Sequence, residues 1–342
     1  MTTAPRRLGF FTRLLDEGDA GQRYCLALAQ ILHAEAMGYD SAWIAQHHFH
    51  ADEGGLPAPF VFLAQVAART TRIRLGTGIV TLPMELPIRV AEDAAVLDLM
   101  SGGRLELGVG SGGNPAAFAA FGLADAERGG AFQRNLSVLL DALAGRPLPS
   151  GDQLYPVHPS LLGRLWYATF SVSGAQRAGE LGAGLLLSRT QPRPADRPDA
   201  TLADIQDPMI DAYVAALPAG VAPRILASRS VFAADDRAEA LRFAGLGLRR
   251  FHERLVSLGR ASAGANPTVE ELIRRSDTHL GTPEDVAASL AGDRVLARAT
   301  ELAVQVHSVD PPHPHVLRSI ELVAQQVAPA LGWGRQALAP AA

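Results

Sequence analysis

The stretch SAWIAQHHFH, Ser41 to His50, holds three of the chain's ten histidines within four positions, directly after a mostly apolar run. Imidazoles crowded where a buried segment surfaces could ligate a metal, transfer protons, or simply make a loop polar. A metal site wants a carboxylate or further histidines from a neighbouring element, and adjacent His47 and His48 on an extended chain point to opposite sides. No metal is therefore expected. Proton transfer and plain loop polarity both remain open from the local residues.

Three glycine- or serine-rich turns follow strand-like runs. In LGVGSGGNP, Gly108, Gly110 and Gly113 form G-x-G-x-x-G, the dinucleotide fingerprint in its barest form. Pro115 and Gly122 spoil the long helix that should follow, and no strand ending in Asp or Glu arrives about 20 residues later to hold a ribose. Close approach of a ligand to the backbone is the better reading of these glycines. In FSVSGAQRAG, Ser171, Ser173 and the amides of a helix start suit a phosphate; a serine N-cap with a flexible turn explains the same residues equally well. In LGTGIVTLP, Gly76 and Gly78 inside a strand indicate a bulge or a ligand pressed on the backbone.

The elements that must position these groups repeat every ~30 to 40 residues, the size of a strand plus crossover helix. Strands are expected at 7–12, 40–45, 72–80, 104–110, 165–172, 183–190, 224–234 and 301–308. Helical spacing is expected at 23–38, 59–70, 88–103, 130–145, 175–182, 207–217, 236–259, from Pro283 and at 315–331. Eight strands, each followed by helix and with no domain-sized linker, predict one (β/α)8 TIM barrel with loop insertions spanning 1–342. In such a barrel the strand C-termini carry the chemistry, so Gln46, His47 and His48 would stand at the rim. Phe11 ends strand one and His307 ends strand eight, so both are expected to line a substrate pocket with His48. The loops 146–163 and 191–207 are expected to form its rim and lid. Asp98, Ser101 and Arg104 sit at a strand's N-terminal start and read as a corner held by side-chain hydrogen bonds.

Composition narrows the partners. The 342 residues are 48% hydrophobic with a net charge of −4, which makes no electrostatic case for nucleic acid or an anionic membrane. No apolar run approaches the ~20 residues of a membrane span. The start of the chain lacks the long apolar core of a signal peptide. Cys25 is the lone cysteine; it reads as a buried helical residue, and a cytoplasmic location is expected.

The order QHHF, LGTGIVTLP, LPIRVAEDAAVLDLMSGGRLELGVGSG and SVSGAQRAGELG resembles the bacterial luciferase-like family of flavin-dependent monooxygenases, from Leu8 to about Leu331. The resemblance implies a barrel that binds reduced FMN supplied by a separate NAD(P)H:flavin reductase. O2 then yields a C4a-peroxyflavin that oxygenates a small organic substrate. It also implies a homodimer packed through the helices after strands two and three. Some relatives use the deazaflavin F420 for hydride transfer instead, and a non-catalytic flavin-binding protein is a third possibility. By position, His47 matches the family's active-site histidine. Gly78 and Ile79 match a non-prolyl cis peptide whose second side chain backs the flavin ring. Gly110 and Ser111 match a pair that in luciferase is Cys-Arg, the arginine helping to hold phosphate. With Ser111 in that place, the phosphate would rely on Ser171, Ser173 and the amides of Gly174 and Ala175. Gln46 stands where luciferases commonly carry Glu, which removes one force that would raise the pKa of His47.

Overall fold

The computed structural model describes residues 6–194, 196–257, 266–306 and 311–334. In chain order the elements are β1 (Arg7–Thr12), α1 (Ala20–Ala36), β2 (Ser41–Ile44), α2 (Pro59–Arg69), β3 (Arg74–Thr77), β4 (Val80–Thr81), α3 (Pro87–Met100), β5 (Leu105–Gly110), α4 (Pro115–Ala120) and α5 (Arg128–Leu143). The second half adds β6 (Leu165–Ala168), α6 (Val172–Glu180), β7 (Gly184–Leu187), α7 (Leu202–Ala216), β8 (Ile225–Ala233), α8 (Arg237–Ser257), α9 (Val269–Arg275), β9 (Thr278–Gly281), α10 (Pro283–Ala291), β10 (Glu301–Gln305) and α11 (His313–Leu322). Every strand pairing is parallel, and β10 pairs with both β1 and β8, so the sheet closes on itself. The ring is the expected eight-staved TIM barrel. One stave is the pair β3 and β4, and β9 is an extra strand laid along the far end of β8.

Alternation along each strand sends one set of side chains outward against the helices and the other into the barrel. The inward set is the small cluster Phe11, Trp43, Ala45, Trp166, Leu186, Leu226 and Ala303. The two indoles meet edge to face, 5.5 Å apart. Gly76 and Gly184 make room for them: a Cβ at either position would stand 2.2–2.3 Å from a tryptophan ring atom. The ligand expected at Gly76 is thus Trp43 itself. Gly108 likewise accommodates the neighbouring strand, since a Cβ there would lie 2.0 Å from the Thr77 carbonyl oxygen. Below the indoles, Glu301 accepts from Ser41 Oγ and, at 2.6 Å, from Trp43 Nε1, while Glu106 accepts from Trp166 Nε1 at 2.7 Å and pairs with Arg74.

Several boundaries differ from the sequence expectation for identifiable reasons. The third stave breaks at Gly78–Ile79, whose peptide is cis. The fifth expected strand stops at Ala168 because Ser171 caps α6, accepting from the Gly174 amide at 3.1 Å. Helix α7 begins at Leu202 rather than Asp207: Thr201 and Asp204 form a capping box, and Pro208 lies inside the helix. Helix α11 opens at His313, two residues before its expected start. Cys25 is exposed on α1, because Ala27, Leu28, Ile31 and Ala34 form that helix's buried stripe. The loop 146–163 precedes β6 and so lies at the barrel's N-terminal end, where it is no lid. There His158 and Arg164 bind Asp98 at 2.5–2.7 Å, and Ser101 and Arg104 complete the hydrogen-bonded corner expected of them.

Candidate active site

The barrel's C-terminal mouth is assembled by strand register. Thr12, Ile44 and Thr77 stand side by side, so the residues after β1, β2 and β3 share one rim. Across the mouth, Gly110 pairs with Ala168, which sets Ser111 beside Thr169. Gly78 donates to the Ile44 carbonyl at 2.7 Å, and Ala45 to the Thr12 carbonyl at 3.1 Å.

Ile79 packs on the inward cluster. A Cβ at Gly110 would approach Ile79 Cδ1 to 2.6 Å, and one at Gly78 would approach Phe11 Cε2 to 2.8 Å. Glycine at these two points therefore leaves a level surface of Ile79 and bare backbone, with Phe11 beneath it. Phe11 is a buried floor residue rather than an open wall.

Gln46 turns the corner after β2. Its Oε1 accepts from the Thr81 amide at 2.7 Å, and its Nε2 donates to the Pro57 carbonyl at 3.1 Å and to Glu85 Oε1 at 2.7 Å. The amide thereby pins β4, just past the cis peptide, to the β2 rim. Burial raises the pKa of Glu85, a tendency the Gln46 hydrogen bond opposes and nearby Asp93 reinforces.

His47 is held by its own amide, which donates to the Leu56 carbonyl at 2.9 Å. Arg13 Nη2 lies 3.4 Å from its Nε2. A guanidinium only donates, so Nε2 is the acceptor and the ring proton resides on Nδ1. Nδ1 is buried and, among the described residues, has no hydrogen-bond partner. A Cβ at Gly54 would stand 2.6 Å from it, so only glycine lets this backbone pack against the ring. Burial, followed by the positive charges of Arg13, His48, Arg254 and Arg189, pushes the His47 pKa down to about 3. The ring is an uncharged hydrogen-bonding group at neutral pH. Burial also lowers the pKa of His48.

Glu53 joins four segments around this histidine. Its carbonyl accepts from Arg13, and its carboxylate accepts from Asn114 and, at 2.5 Å, from Arg254 near the end of α8. Arg189 reaches the mouth from β7, donating to Gln305 at 2.8 Å and Ser230 at 3.0 Å. None of Arg13, Glu53, Asn114 and Arg189 carries a motif, and their convergence is a product of the fold.

On the opposite rim, Thr169, Ser171 and Ser173 form a row of hydroxyls spaced 3.3 Å apart. The Gly174 amide serves the Ser171 cap, and the Ala175 amide donates to the Ser171 carbonyl at 3.0 Å. Both expected phosphate amides are therefore consumed within the helix. The first-turn amides of Val172 and Ser173 are the ones a helix start leaves without an internal partner. Ser111 makes one long contact, Oγ to the Gly112 carbonyl at 3.5 Å. His307 lies outside the described residues. Among the described residues no group of three or more His, Cys, Asp or Glu could hold a metal ion, and no helix is long and apolar enough to cross a membrane.

A closed parallel barrel with its polar groups gathered at the strand C-termini defines a (β/α)8 protein with its site at the mouth. The chain belongs to the luciferase-like monooxygenase family, whose model matches residues 8–301. It is 31% identical over 328 residues to 4-hydroxyprotoasukamycin monooxygenase of Streptomyces nodosus subsp. asukaensis, covering 89% of this chain and 85% of that one. The crystal structure of the monooxygenase RslO1 from Streptomyces bottropensis superposes with a TM-score of 0.77 at 25% identity, covering 95% of this chain and 99% of that one. The oxygenating constituent of 3,6-diketocamphane monooxygenase from Pseudomonas putida, solved with FMN, shares the fold at a TM-score of 0.74 and 19% identity, over 96% and 99% of the two chains.

Proposed function

We propose that this protein is the oxygenase of a two-component flavin monooxygenase, acting on a small organic substrate with FMN that a separate NAD(P)H:flavin reductase has reduced. The observation that carries the reading is the level platform of Ile79 and Gly110, flanked by uncharged His47 on one rim and the hydroxyl row of Thr169, Ser171 and Ser173 on the other. The family supports flavin over other planar cofactors. The FMN-bound neighbour, itself called an oxygenating constituent, supports a reductase on another chain.

Reduced FMN, when bound, supplies the electrons that activate O2. Ile79 would back the ring, and the missing Cβ at Gly110 would leave space beside it. Ser173 and the first-turn amides of α6 would donate to the phosphate, aided by the helix's positive end. His47 places an uncharged imidazole at the rim. Arg13 and Glu53 position that ring. The apolar barrel interior under Phe11 keeps water from the platform's lower face.

Two copies would join through α2 and α3, whose Val61, Ile88, Val96, Leu99 and Met100, with Leu86 just before α3, are exposed apolar side chains on neighbouring helices. So many exposed apolar side chains on two neighbouring helices suit an interface.

The test is anaerobic titration of the protein with oxidised and reduced FMN, followed by admission of O2. Saturable binding of reduced FMN, O2 consumption, and no NADPH oxidation until a reductase is added are expected. Hydride transfer from reduced F420 with no FMN binding would replace the reading. Tight flavin binding without substrate-dependent O2 use would reduce the protein to a flavin carrier.

A further inference from the structure

Arg189 follows the last residue of β7 by two positions and turns into the barrel's mouth, where Nε donates to Gln305 Oε1 at 2.8 Å and Nη1 to Ser230 Oγ at 3.0 Å. Strand alternation puts both acceptors on the inward face: Gln305 lies two residues beyond Ala303 and Ser230 four beyond Leu226, and Ala303 and Leu226 belong to the inward cluster. Gln305 is in register with Ser230 on one side and with Phe11 on the other. Phe11 is the residue that a Cβ at Gly78 would strike. The guanidinium therefore lies at the level of the platform, two strand spacings across the mouth from it, ~10 Å. Its tip is turned toward β8 and β10, away from the hydroxyls that follow β6.

The backbone that carries Arg189 is fixed from behind. Gln206 Nε2 donates to the Ser188 carbonyl at 2.9 Å and to Gln191 Oε1 at 3.3 Å, and its Oε1 accepts from the fully buried Arg229 at 2.9 Å. Arg229 is in turn paired with Asp293 at 2.5 Å. A charge held in this way is in place before a ligand arrives and needs no reorganisation. Its acceptors at Gln305 and Ser230 are neutral groups, whereas Arg13 and Arg254 gather around Glu53, whose carboxylate meets Arg254. The Arg189 charge is felt as far as His47, where it acts in the same direction as Arg13, His48 and Arg254.

A positive potential over an uncharged platform discriminates between ligands of one shape and two charges. The flavin ring is such a ligand: it is neutral in oxidised FMN, and in reduced FMN it loses a ring proton near neutral pH and becomes an anion. We propose that Arg189 is the residue by which this site selects the reduced, anionic flavin ring over the oxidised one. The inference rests on the function proposed above, and it assigns the discrimination between redox forms to one side chain of that site.

Affinities for oxidised and reduced FMN are measured by anaerobic titration of the wild type, Arg189→Gln and Arg189→Lys. A unit charge ~10 Å from an anion at an effective dielectric of ~20 changes affinity by about 15-fold, and screening at the open mouth reduces this to about 5-fold. Arg189→Gln, which keeps a donor for Gln305, should lower the preference for reduced over oxidised FMN by about 5- to 15-fold, equal to a fall of about 20 to 35 mV in the potential of the bound flavin. Arg189→Lys should retain most of the preference. Riboflavin should show the same change, because the phosphate contributes equally to both redox forms. A second measurement needs no variant: at pH 6 the wild type should release more protons to an indicator dye on binding reduced FMN than on binding oxidised FMN. A preference unchanged in Arg189→Gln overturns the inference, whatever happens to the absolute affinities. So does an Arg189→Lys variant as impaired as Arg189→Gln, since charge would then not be the cause. So does a change seen with FMN and absent with riboflavin, which would assign Arg189 to the phosphate. So does equal proton release with the two forms. Failure of the wild type to bind FMN in either state strikes the proposed function and this inference together, whereas normal binding with an unchanged preference strikes this inference alone.

Discussion

Replacing Gln46 by glutamate, the residue common at this position in luciferases, sets a carboxylate against the Glu85 carboxylate that Gln46 Nε2 now meets at 2.7 Å. Two ionised carboxylates about 4 Å apart repel by about 4 kcal/mol at an effective dielectric of about 20. The pair can escape by keeping one proton, which costs about 1.4 kcal/mol for each pH unit above the ordinary carboxyl pKa of 4.5. That is about 1 kcal/mol at pH 5 and above 4 kcal/mol at pH 8, where full ionisation becomes the cheaper state. A carboxyl whose pKa is raised by folding contributes its stability below its ordinary range and loses it as pH rises. With the hydrogen bond to the Pro57 carbonyl also lost, at about 1 to 2 kcal/mol, Gln46→Glu should therefore unfold with a loss of about 2 to 3 kcal/mol at pH 5 and about 5 to 6 kcal/mol at pH 8, read by urea denaturation at both. FMN affinity should fall in parallel, because Thr81 and the platform strand lose their anchor. Adding Glu85→Gln restores one donor between the two side chains and should recover all but about 1 to 2 kcal/mol, the remainder reflecting the Pro57 carbonyl left facing a carboxylate. A pH-independent loss, or no recovery in the double variant, would refute this account of the corner.

Ser173→Ala should weaken FMN by about 10- to 150-fold, the range for one hydrogen bond to a charged group, and should leave riboflavin binding unchanged; equal losses would mean the phosphate lies elsewhere. The His47 ring should stay unprotonated in an NMR titration down to about pH 4, since burial and three nearby arginines hold its pKa to about 3; a midpoint near 6.5 would remove the neutral-histidine reading. Burial raises Glu301 to about 7, so the fold should lose about 3 kcal/mol as pH rises from 4.5 through 7. Glu301→Gln, which retains an acceptor for Ser41 and Trp43, should abolish that slope in denaturation curves followed by tryptophan fluorescence. Light scattering should give twice 36.1 kDa at micromolar concentration, and Met100→Asp should halve the mass; a monomeric wild type would dispose of the dimer.

The barrel could be read from the chain because its signal is local and repeated: apolar strand, turn, amphipathic helix, eight times over. What the sequence conceals is whatever depends on the ring having closed. Gly76 looks like a ligand-approach site until the strands curl and it proves to face Trp43. Loop 146–163 looks like a lid until its place before β6 puts it at the wrong end. The mouth shows the same division. His47 announces itself by its neighbours, and the serines of α6 by the turn they make. By contrast, the groups that set the state of His47 come from after β1, from the loop after β2, from α4 and from α8, scattered between Arg13 and Arg254 with no spacing to connect them. Gln46 is the instructive case. Viewed along the sequence it is a substitution that alters the charge beside a histidine. Viewed in the fold, its side chain turns away to bind Thr81, Pro57 and Glu85. Its consequence for the site therefore runs through the position of the platform strand, and the charge at this corner matters because Glu85 already stands there.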